Sequence, residues 1–313
     1  MFPFGKLKFS GYFCESVSYN PWTMNILVTG ANGQLGTELR NVTRGSDDRY
    51  IFSDVSQVPG ADTLFLDITN RGALKIVCES ESVDVMINCA AYTNVEKAEE
   101  DLEMADLLNH KAPENLAAVA AETGALLIHI STDYIFNGEK SVPYSEDDAP
   151  DPLGAYGVTK LAGEGAIKES GCRYMIFRTA WLYSPYGKNF VKTMRELLQG
   201  GRDLKVVYDQ IGSPTYALDL ATLLCRIITE RQLDKTGVYH FTDEGAVSWY
   251  DFAMAIKEIS KLGGSITPCL SSEYPTKAAR PHFSLMDKNK VRRTFGVEIP
   301  YWKDSLLKCI DRL

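Results

Sequence analysis

The sequence predicts an α/β fold with a doubly wound parallel sheet and a smaller, mixed C-terminal substrate region. Three observations carry this. Short apolar runs, N-I-L-V-T at 25–29, D-V-M-I-N at 84–88 and L-L-I-H-I at 126–130, alternate with longer stretches of helical periodicity. The runs are almost continuously apolar, as strands are when helices cover both faces of a sheet. The turn after the first run holds Gly30, Gly33 and Gly36, between a strand and a helix.

Taken in order, Asn25–Thr29 reads as the first strand and Gln34–Thr43 as the first helix. Tyr50–Ser53, ending at Asp54, and Thr63–Leu66 read as the second and third strands. Leu74–Glu79 is helical, Asp84–Asn88 is the fourth strand, and Glu99–Thr123, rich in Ala and Leu, reads as one long helical region. Leu126–Ile130 is the fifth strand, Leu153–Ser170 contains a helix, and Tyr174–Arg178 is the sixth strand. After Trp181 the pattern changes. Helices are expected at Phe190–Gln199, Tyr216–Glu230 and Tyr250–Leu262, with strands at Leu204–Val207 and Val238–Phe241, the latter returning to the main sheet. This divides the chain into a dinucleotide-binding unit over 24–180 and a mainly substrate-binding unit over 181–313. Residues 1–23 read as a non-conforming extension: Gly5, Ser10, Glu15 and Pro21 break any apolar centre a secretory signal would need, and Met24 stands as the expected natural start.

Composition narrows the function. The 313 residues carry a formal net charge of -8, which argues against a general nucleic-acid binder. No run of 18 apolar residues suggests a membrane span. Seven cysteines (Cys14, Cys78, Cys89, Cys172, Cys225, Cys269 and Cys309) without any C-x-x-C read as reduced thiols of a cytoplasmic protein. Four scattered histidines give no metal-ligand spacing, and no metal is expected.

The glycine turn has the spacing G-x-x-G-x-x-G. Gly30 permits the tight turn, Gly33 lets backbone approach a pyrophosphate, and Gly36 lets the helix pack on the strand. The amides of Gln34 and Leu35 then face the phosphates, aided by the helix dipole. This is the Rossmann-type arrangement for NADH or NADPH. Asp54, 18 residues after Gly36, can accept from the adenosine ribose hydroxyls, which favours NADH. Arg49 lies near it in sequence, so NADPH stays open. Asp67 and Ile68 of L-D-I could bracket an adenine ring.

Beyond the fifth strand come Ser131-Thr132-Asp133-Tyr134 and then A-Y-G-V-T-K, with Tyr156 and Lys160 four apart at a helix start. That spacing puts both on one helix face. Reducing a ketone needs a proton delivered to oxygen as hydride reaches carbon. An ammonium beside a phenol makes the phenol a better acid, and a shift of three pKa units would take about 4 kcal/mol, within reach of a close charge in a dry pocket.

With M-N-I-L-V-T-G-A-N-G-Q-L-G, S-T-D-Y-I-F, Y-G-V-T-K-L-A-G-E, F-R-T-A-W-L-Y, D-Q-I-G-S-P-T and A-R-P-H-F-S in view, the chain resembles the extended short-chain dehydrogenases/reductases, and within them the dTDP-4-dehydrorhamnose reductase family, from Met24 to about Ser284. The resemblance implies Tyr156 as proton donor, Lys160 tuning it and binding ribose, and Thr132 hydrogen-bonding the substrate oxygen. It implies Gly33, Gln34, Leu35, Asp54, Asp67, Ile68, Ala91, Tyr92, Thr93 and Ile130 along the cofactor, and Thr132, Asp133 and Trp181 against a dTDP-sugar, with Val95 close by. The implied reaction is NAD(P)H-dependent reduction of a 4-keto deoxysugar nucleotide, a step in cell-surface polysaccharide synthesis. The other readings are another nucleotide-sugar ketoreductase or epimerase, and a non-catalytic subunit similar to the regulatory subunit of methionine adenosyltransferase. The resemblance leaves room for a homodimer. Some relatives hold magnesium between subunits with glutamates. Glu38 matches one such position, but Leu218 and Arg312 stand at the others, with Asp219 one place off, and this departs from the pattern. Arg280 is read either as a diphosphate contact or as half of a surface ion pair. Asn109 and His110 read as structural.

Overall fold

In a computed structural model, residues 23–313 are described, so the expectation for residues 1–23 and the thiol of Cys14 lie essentially outside them. Six parallel strands, β1 (Asn25–Thr29), β2 (Arg49–Asp54), β3 (Leu64–Phe65), β4 (Val85–Asn88), β5 (Leu126–Thr132) and β6 (Arg173–Thr179), come from the first 180 residues. The strand Gly237–His240 returns as expected and pairs parallel with β6, opposite Met175–Arg178. Across the sheet the order is Gly237–His240, β6, β5, β4, β1, β2, β3. The order reverses direction at β1, the point where sheets of this kind bind ligands beyond the strand ends.

The alternation of side chains assigns each strand residue a face. Ile26, Val28, Val85, Ile87, Leu126, Ile128, Met175 and Phe177 point to one side. They pack there on Leu35 and Leu39 of α1 (Gln34–Val42) and on Leu220, Leu224 and Ile227 from the second half of the chain. Leu27, Met86, Leu127 and Ile176 point to the other side. They meet Leu74 and Cys78 of α2 (Arg71–Ser80), and residues of two longer helices described below. Each such apolar side chain contributes about 1.5–3 kcal/mol by leaving water.

Of the region expected to be helical over Glu99–Thr123, residues 102–123 are continuously helical, with one wide π-helical turn inside. Asn94 caps α3 (Val95–Ala98) by accepting from the Lys97 amide, and Asp101 caps α4 (Leu102–Asp106) by accepting from Met104. A π-helical turn over Leu107–Lys111 then leads into α5 (Ala112–Thr123). The wide turn carries Asn109 inward, fully buried, where its side chain donates to the Tyr92 carbonyl at 3.1 Å and accepts from the Tyr92 amide at 2.9 Å. Asp101, an Asx cap, was the signal for where this helical stretch begins. α6 (Ala155–Glu169) runs along the same face as α5 and carries Tyr156 and Lys160 in its first two turns.

The remaining helices are α7 (Phe190–Gln199), α8 (Ala217–Thr229), α9 (Trp249–Ile259), α10 (Asn289–Phe295) and α11 (Trp302–Ile310). α8 is the helix that packs on α1, so the first core is built from both halves of the chain. α7, α9 and α11 enclose a separate core of Tyr183, Val191, Val206, Phe252, Ile256, Trp302 and Leu306. Residues 181–184 follow on from β6, Thr215 Oγ1 donates to the Ala180 carbonyl at 2.6 Å, and the Ile211 amide donates to the His282 carbonyl at 2.7 Å, so the three segments lie together beyond the end of β6.

Candidate active site

The glycine turn is dictated by close packing. Gly30 has φ 65°, and a Cβ there would lie 2.5 Å from the Ala90 amide nitrogen. A Cβ on Gly36 would lie 2.5 Å from Ala31 and from the Gly30 carbonyl, so α1 can meet β1 only with glycine at this point. No side chain caps α1 at Gly33, and its first turn holds no acidic residue. The first-turn amides of Gln34 and Leu35 are therefore free to take an anion. The Gln34 side chain is otherwise engaged: its Oε1 accepts from Ser184 Oγ at 3.1 Å and Asn189 Nδ2 at 2.9 Å, tying the turn to the second half. Leu35 is buried in the sheet core.

Asp54 sits at the end of β2 beside this turn. Its Oδ2 accepts from the Asn32 amide at 3.0 Å, and its Oδ1 accepts from the Ser56 amide and hydroxyl at 2.9 and 2.7 Å. Arg49 instead pairs with Glu81, away from this turn. The cation near Asp54 is Arg40, in the last turn of α1. It lies over the Phe52 ring at 4.1 Å and donates to Thr63 Oγ1 at 3.1 Å, which in turn bonds Asn32. Asp67 folds back on its own loop, accepting from the Thr69 amide and hydroxyl, and Ile68 is buried with its carbonyl held by Asn115. Ala91 and Tyr92 are half-buried and Thr93 is exposed on the loop after β4 that Asn109 pins. These residues and the half-buried Ile130 line one continuous edge of the sheet from β5 to β3.

On the other side of β1, β5 ends at Thr132. Its hydroxyl accepts from the Tyr134 amide at 3.2 Å and donates to Asp133 Oδ1 at 3.1 Å. Tyr156 is hydrogen-bonded to Thr132 and packs edge-on against Tyr134, with ring centroids 5.5 Å apart. The phenol is not lowered as the sequence suggested. Burial raises Tyr156 above the ordinary tyrosine value, and the Thr132 bond only partly opposes it. Lys160 is 2% exposed, and its Nζ donates to the Ile130 carbonyl at 2.6 Å and meets His129 Nε2 at 3.2 Å. Burial lowers Lys160 to about 8. Burial also pushes the Asp133 carboxyl up to about 6, and its Oδ2 is a buried oxygen with no hydrogen-bond partner.

Trp181 follows β6 with φ 49°, a conformation that is strained for a bulky side chain. Its ring stacks on Trp249 at 3.6 Å and lies over Gly212, which also faces Ser284. Thus D-Q-I-G-S-P-T and A-R-P-H-F-S meet: the Ile211 amide donates to the His282 carbonyl and the Ser284 amide to the Ile211 carbonyl. Val95 opens α3 and is half-buried. The whole forms a polar floor of Thr132, Asp133 and Tyr156 beside a wall of aromatic rings, a setting for a polar group with an apolar edge.

The family model described as the RmlD substrate binding domain matches residues 24–313. The chain belongs to that family. It is 38% identical over 290 residues to a dTDP-4-dehydrorhamnose reductase of Aggregatibacter actinomycetemcomitans, covering 90% of this chain and 96% of the relative. Among solved structures, a dTDP-4-dehydrorhamnose reductase from Clostridium acetobutylicum superimposes with a TM-score of 0.86 at 42% identity, covering 92% of this chain and 99% of that one. The Bacillus anthracis enzyme of the same name, solved in complex with NADP, gives 0.85 at 34% identity, covering 93% and 100%.

For this member of the family, the residues at the magnesium positions do not fit a metal. Glu38 is fully buried, and both its oxygens accept from Arg312, at 2.8 and 3.0 Å. A guanidinium of the same chain thus supplies the positive charge. Asp219 is turned to the Ser305 hydroxyl. Among the described residues no group of three or more metal-ligating side chains occurs. Arg280 takes the ion-pair alternative, donating to Glu96 at 2.7 Å. Arg40 and His129 were missed in the sequence. Arg40 lies on the first helix and shows no motif, and His129 is one polar letter inside an apolar strand.

Proposed function

We propose that this protein reduces the C4 ketone of dTDP-6-deoxy-L-lyxo-4-hexulose to dTDP-L-rhamnose with NADPH or NADH, a step of cell-surface polysaccharide synthesis. The observation that carries the reading is that Thr132 and Tyr156 at the end of β5 share one edge of the sheet with the uncapped, glycine-lined start of α1, in a chain whose relatives at 34–42% identity include dTDP-4-dehydrorhamnose reductases. Relatives at this identity cover nearly their whole length.

The dinucleotide is held at its pyrophosphate by the amides of Gln34 and Leu35, at its adenosine ribose by Asp54, and along Asp67, Ile68, Ala91, Tyr92, Thr93 and Ile130. When bound, it supplies a hydride. Tyr156 Oη gives its proton to the substrate oxygen, and Thr132 hydrogen-bonds the same oxygen and the phenol. Asp133 offers its unpartnered Oδ2 to a sugar hydroxyl, and Trp181, with Val95 nearby, covers the apolar face of the deoxysugar. Lys160 steadies the ribose and sets the charge beside the phenol. A homodimer in the cytoplasm, without nucleic-acid partners, completes the reading. No helix among the described residues is long and apolar enough to cross a membrane.

The test is loss of reduced-cofactor absorbance on adding the dTDP-ketosugar, with each cofactor in turn. Turnover supports the reading. Turnover only with a different sugar nucleotide replaces the substrate, and no turnover with any of them removes the enzymatic reading.

A further inference from the structure

A line of buried polar side chains runs from the core of the sheet to Lys160. Thr29 on β1, Asn88 on β4, His129 on β5 and Lys160 on α6 are each at most 2% exposed. The Thr29 hydroxyl donates to Asn88 Oδ1 at 2.7 Å, and the Ala90 amide donates to the same oxygen at 3.1 Å. A backbone N–H can only donate, so it fixes which end of the Asn88 amide is oxygen. The other end, Nδ2, therefore donates to His129 Nδ1 at 3.0 Å. With Nδ1 accepting, the ring proton of a neutral imidazole sits on Nε2, and Nε2 lies 3.2 Å from Lys160 Nζ.

An ammonium has three donors and no lone pair, so it cannot receive that proton. A neutral amine can: its lone pair accepts from His129 Nε2–H while one of its own N–H groups donates to the Ile130 carbonyl at 2.6 Å. The geometry points to His129, oriented by Asn88, as a positioning residue that stabilises the neutral amine form of Lys160 in the ligand-free protein and so lowers its midpoint. A charged Lys160 leaves two donors facing each other in a dry site, at either end of the imidazole, and such a mismatch is costly where no water can relieve it.

The surroundings agree. Burial pushes His129 well below the ordinary imidazole value and keeps it uncharged. The one carboxylate facing the pair is Glu164, a turn further along α6. It is bound through both oxygens by Arg178 of β6, at 2.9 and 2.8 Å, and lies 3.1 Å from Lys168. Its charge is thus already spent. This inference rests on the reductase reading only for its consequence. The charge that eases proton release from Tyr156 is opposed by this network, so turnover falls as pH rises through the Lys160 midpoint.

Nuclear magnetic resonance of the ligand-free wild-type protein tests the assignment without any turnover. The ring nitrogens of His129 are expected to show the proton on Nε2. Lysine labelled with carbon-13 at Cε, with the Lys160 signal identified by its loss in Lys160→Met, is expected to titrate at least two pH units below an ordinary lysine. Asn88→Asp offers His129 an acceptor in place of a donor. It should move the ring proton to Nδ1 and raise the Lys160 midpoint by one unit or more, carrying the alkaline limb of kcat/KM with it. A wild-type proton on Nδ1, an ordinary lysine midpoint, or a folded Asn88→Asp protein with an unmoved midpoint overturns the inference. Should Asn88→Asp fail to fold, the wild-type ring tautomer decides. Failure of the ketosugar assay, by contrast, removes the reductase reading and leaves these signals untouched.

Discussion

The two sides of the site are built in different ways. On the α1 side, backbone does the work: glycines at 30, 33 and 36, and a helix start without a side-chain cap. On the β5–α6 side, side chains do it: Thr132, Asp133, Tyr156, Lys160 and His129, brought from two elements and mostly taken out of water. The first kind of site costs little electrostatic energy, because an anion meets dipoles that are already oriented. The second kind holds ionisable groups away from their ordinary pKa values, which destabilises their charged forms in the folded chain. Chemistry needs the second kind of site, and mere binding needs only the first.

The sharpest test of this contrast is Tyr156→Phe. Turnover should fall by about 10²–10⁴-fold, while the affinity for the dinucleotide, measured by fluorescence titration, stays within about twofold. An active variant would move the proton donor elsewhere.

Next comes a pair within the backbone side. Gly30→Ala introduces a Cβ 2.5 Å from the Ala90 amide at φ 65°, and should lower stability by about 2 kcal/mol or more in urea unfolding. Gly33→Ala meets only the Gly30 carbonyl at 3.2 Å, so the fold should survive while dinucleotide affinity falls. Equal effects of the two on stability would erase the distinction between packing and ligand approach.

The side-chain half has a pH signature. Lys160 is lowered to about 8, against roughly 10.4 in an unfolded chain, so between these values the unfolded state binds more protons. This stabilising contribution is complete above the unfolded value and is lost as pH falls through the folded one. Lys160 should therefore make wild-type stability rise with pH between about 8 and 10.4, by up to about 3 kcal/mol. Comparing urea midpoints of wild type and Lys160→Met across that window should show the slope only in wild type.

The smallest effect is expected at Arg40, which stands beside Asp54 through Thr63 and Asn32. Arg40→Ala should raise the KM for NADPH by about tenfold, near 1.4 kcal/mol, and leave that for NADH within about twofold. Equal changes for both would place Arg40 outside the reach of a 2′-phosphate.

Much of this was legible in the sequence, and the limit is physical. Apolar runs such as Asn25–Thr29 and Val85–Asn88 identify a parallel sheet because burial on both faces leaves few polar positions. The glycine turn is legible because its requirement is local: a tight turn and a close approach can be met only by glycine. Tyr156 and Lys160 are legible because four residues make one helical turn. The helix over Glu99–Thr123 was legible from its Ala and Leu spacing, but the π-helical turn at Leu107–Lys111 escaped, because that spacing suits a regular helix as well as one with a wide turn inserted.

What the tertiary structure alone decided are matters of partnership across long separations. That Arg49 turns to Glu81, that Arg312 neutralises Glu38 at the other end of the chain, and that His129 meets Lys160 depend on which elements become neighbours. A periodic pattern records which face of an element is dry, and so the chain itself determined its layers and its turns. It does not record which buried donor finds which acceptor, because hydrogen bonds are directional and short, and only the packed arrangement of β1, β4, β5 and α6 brings those atoms within 3 Å or so of each other.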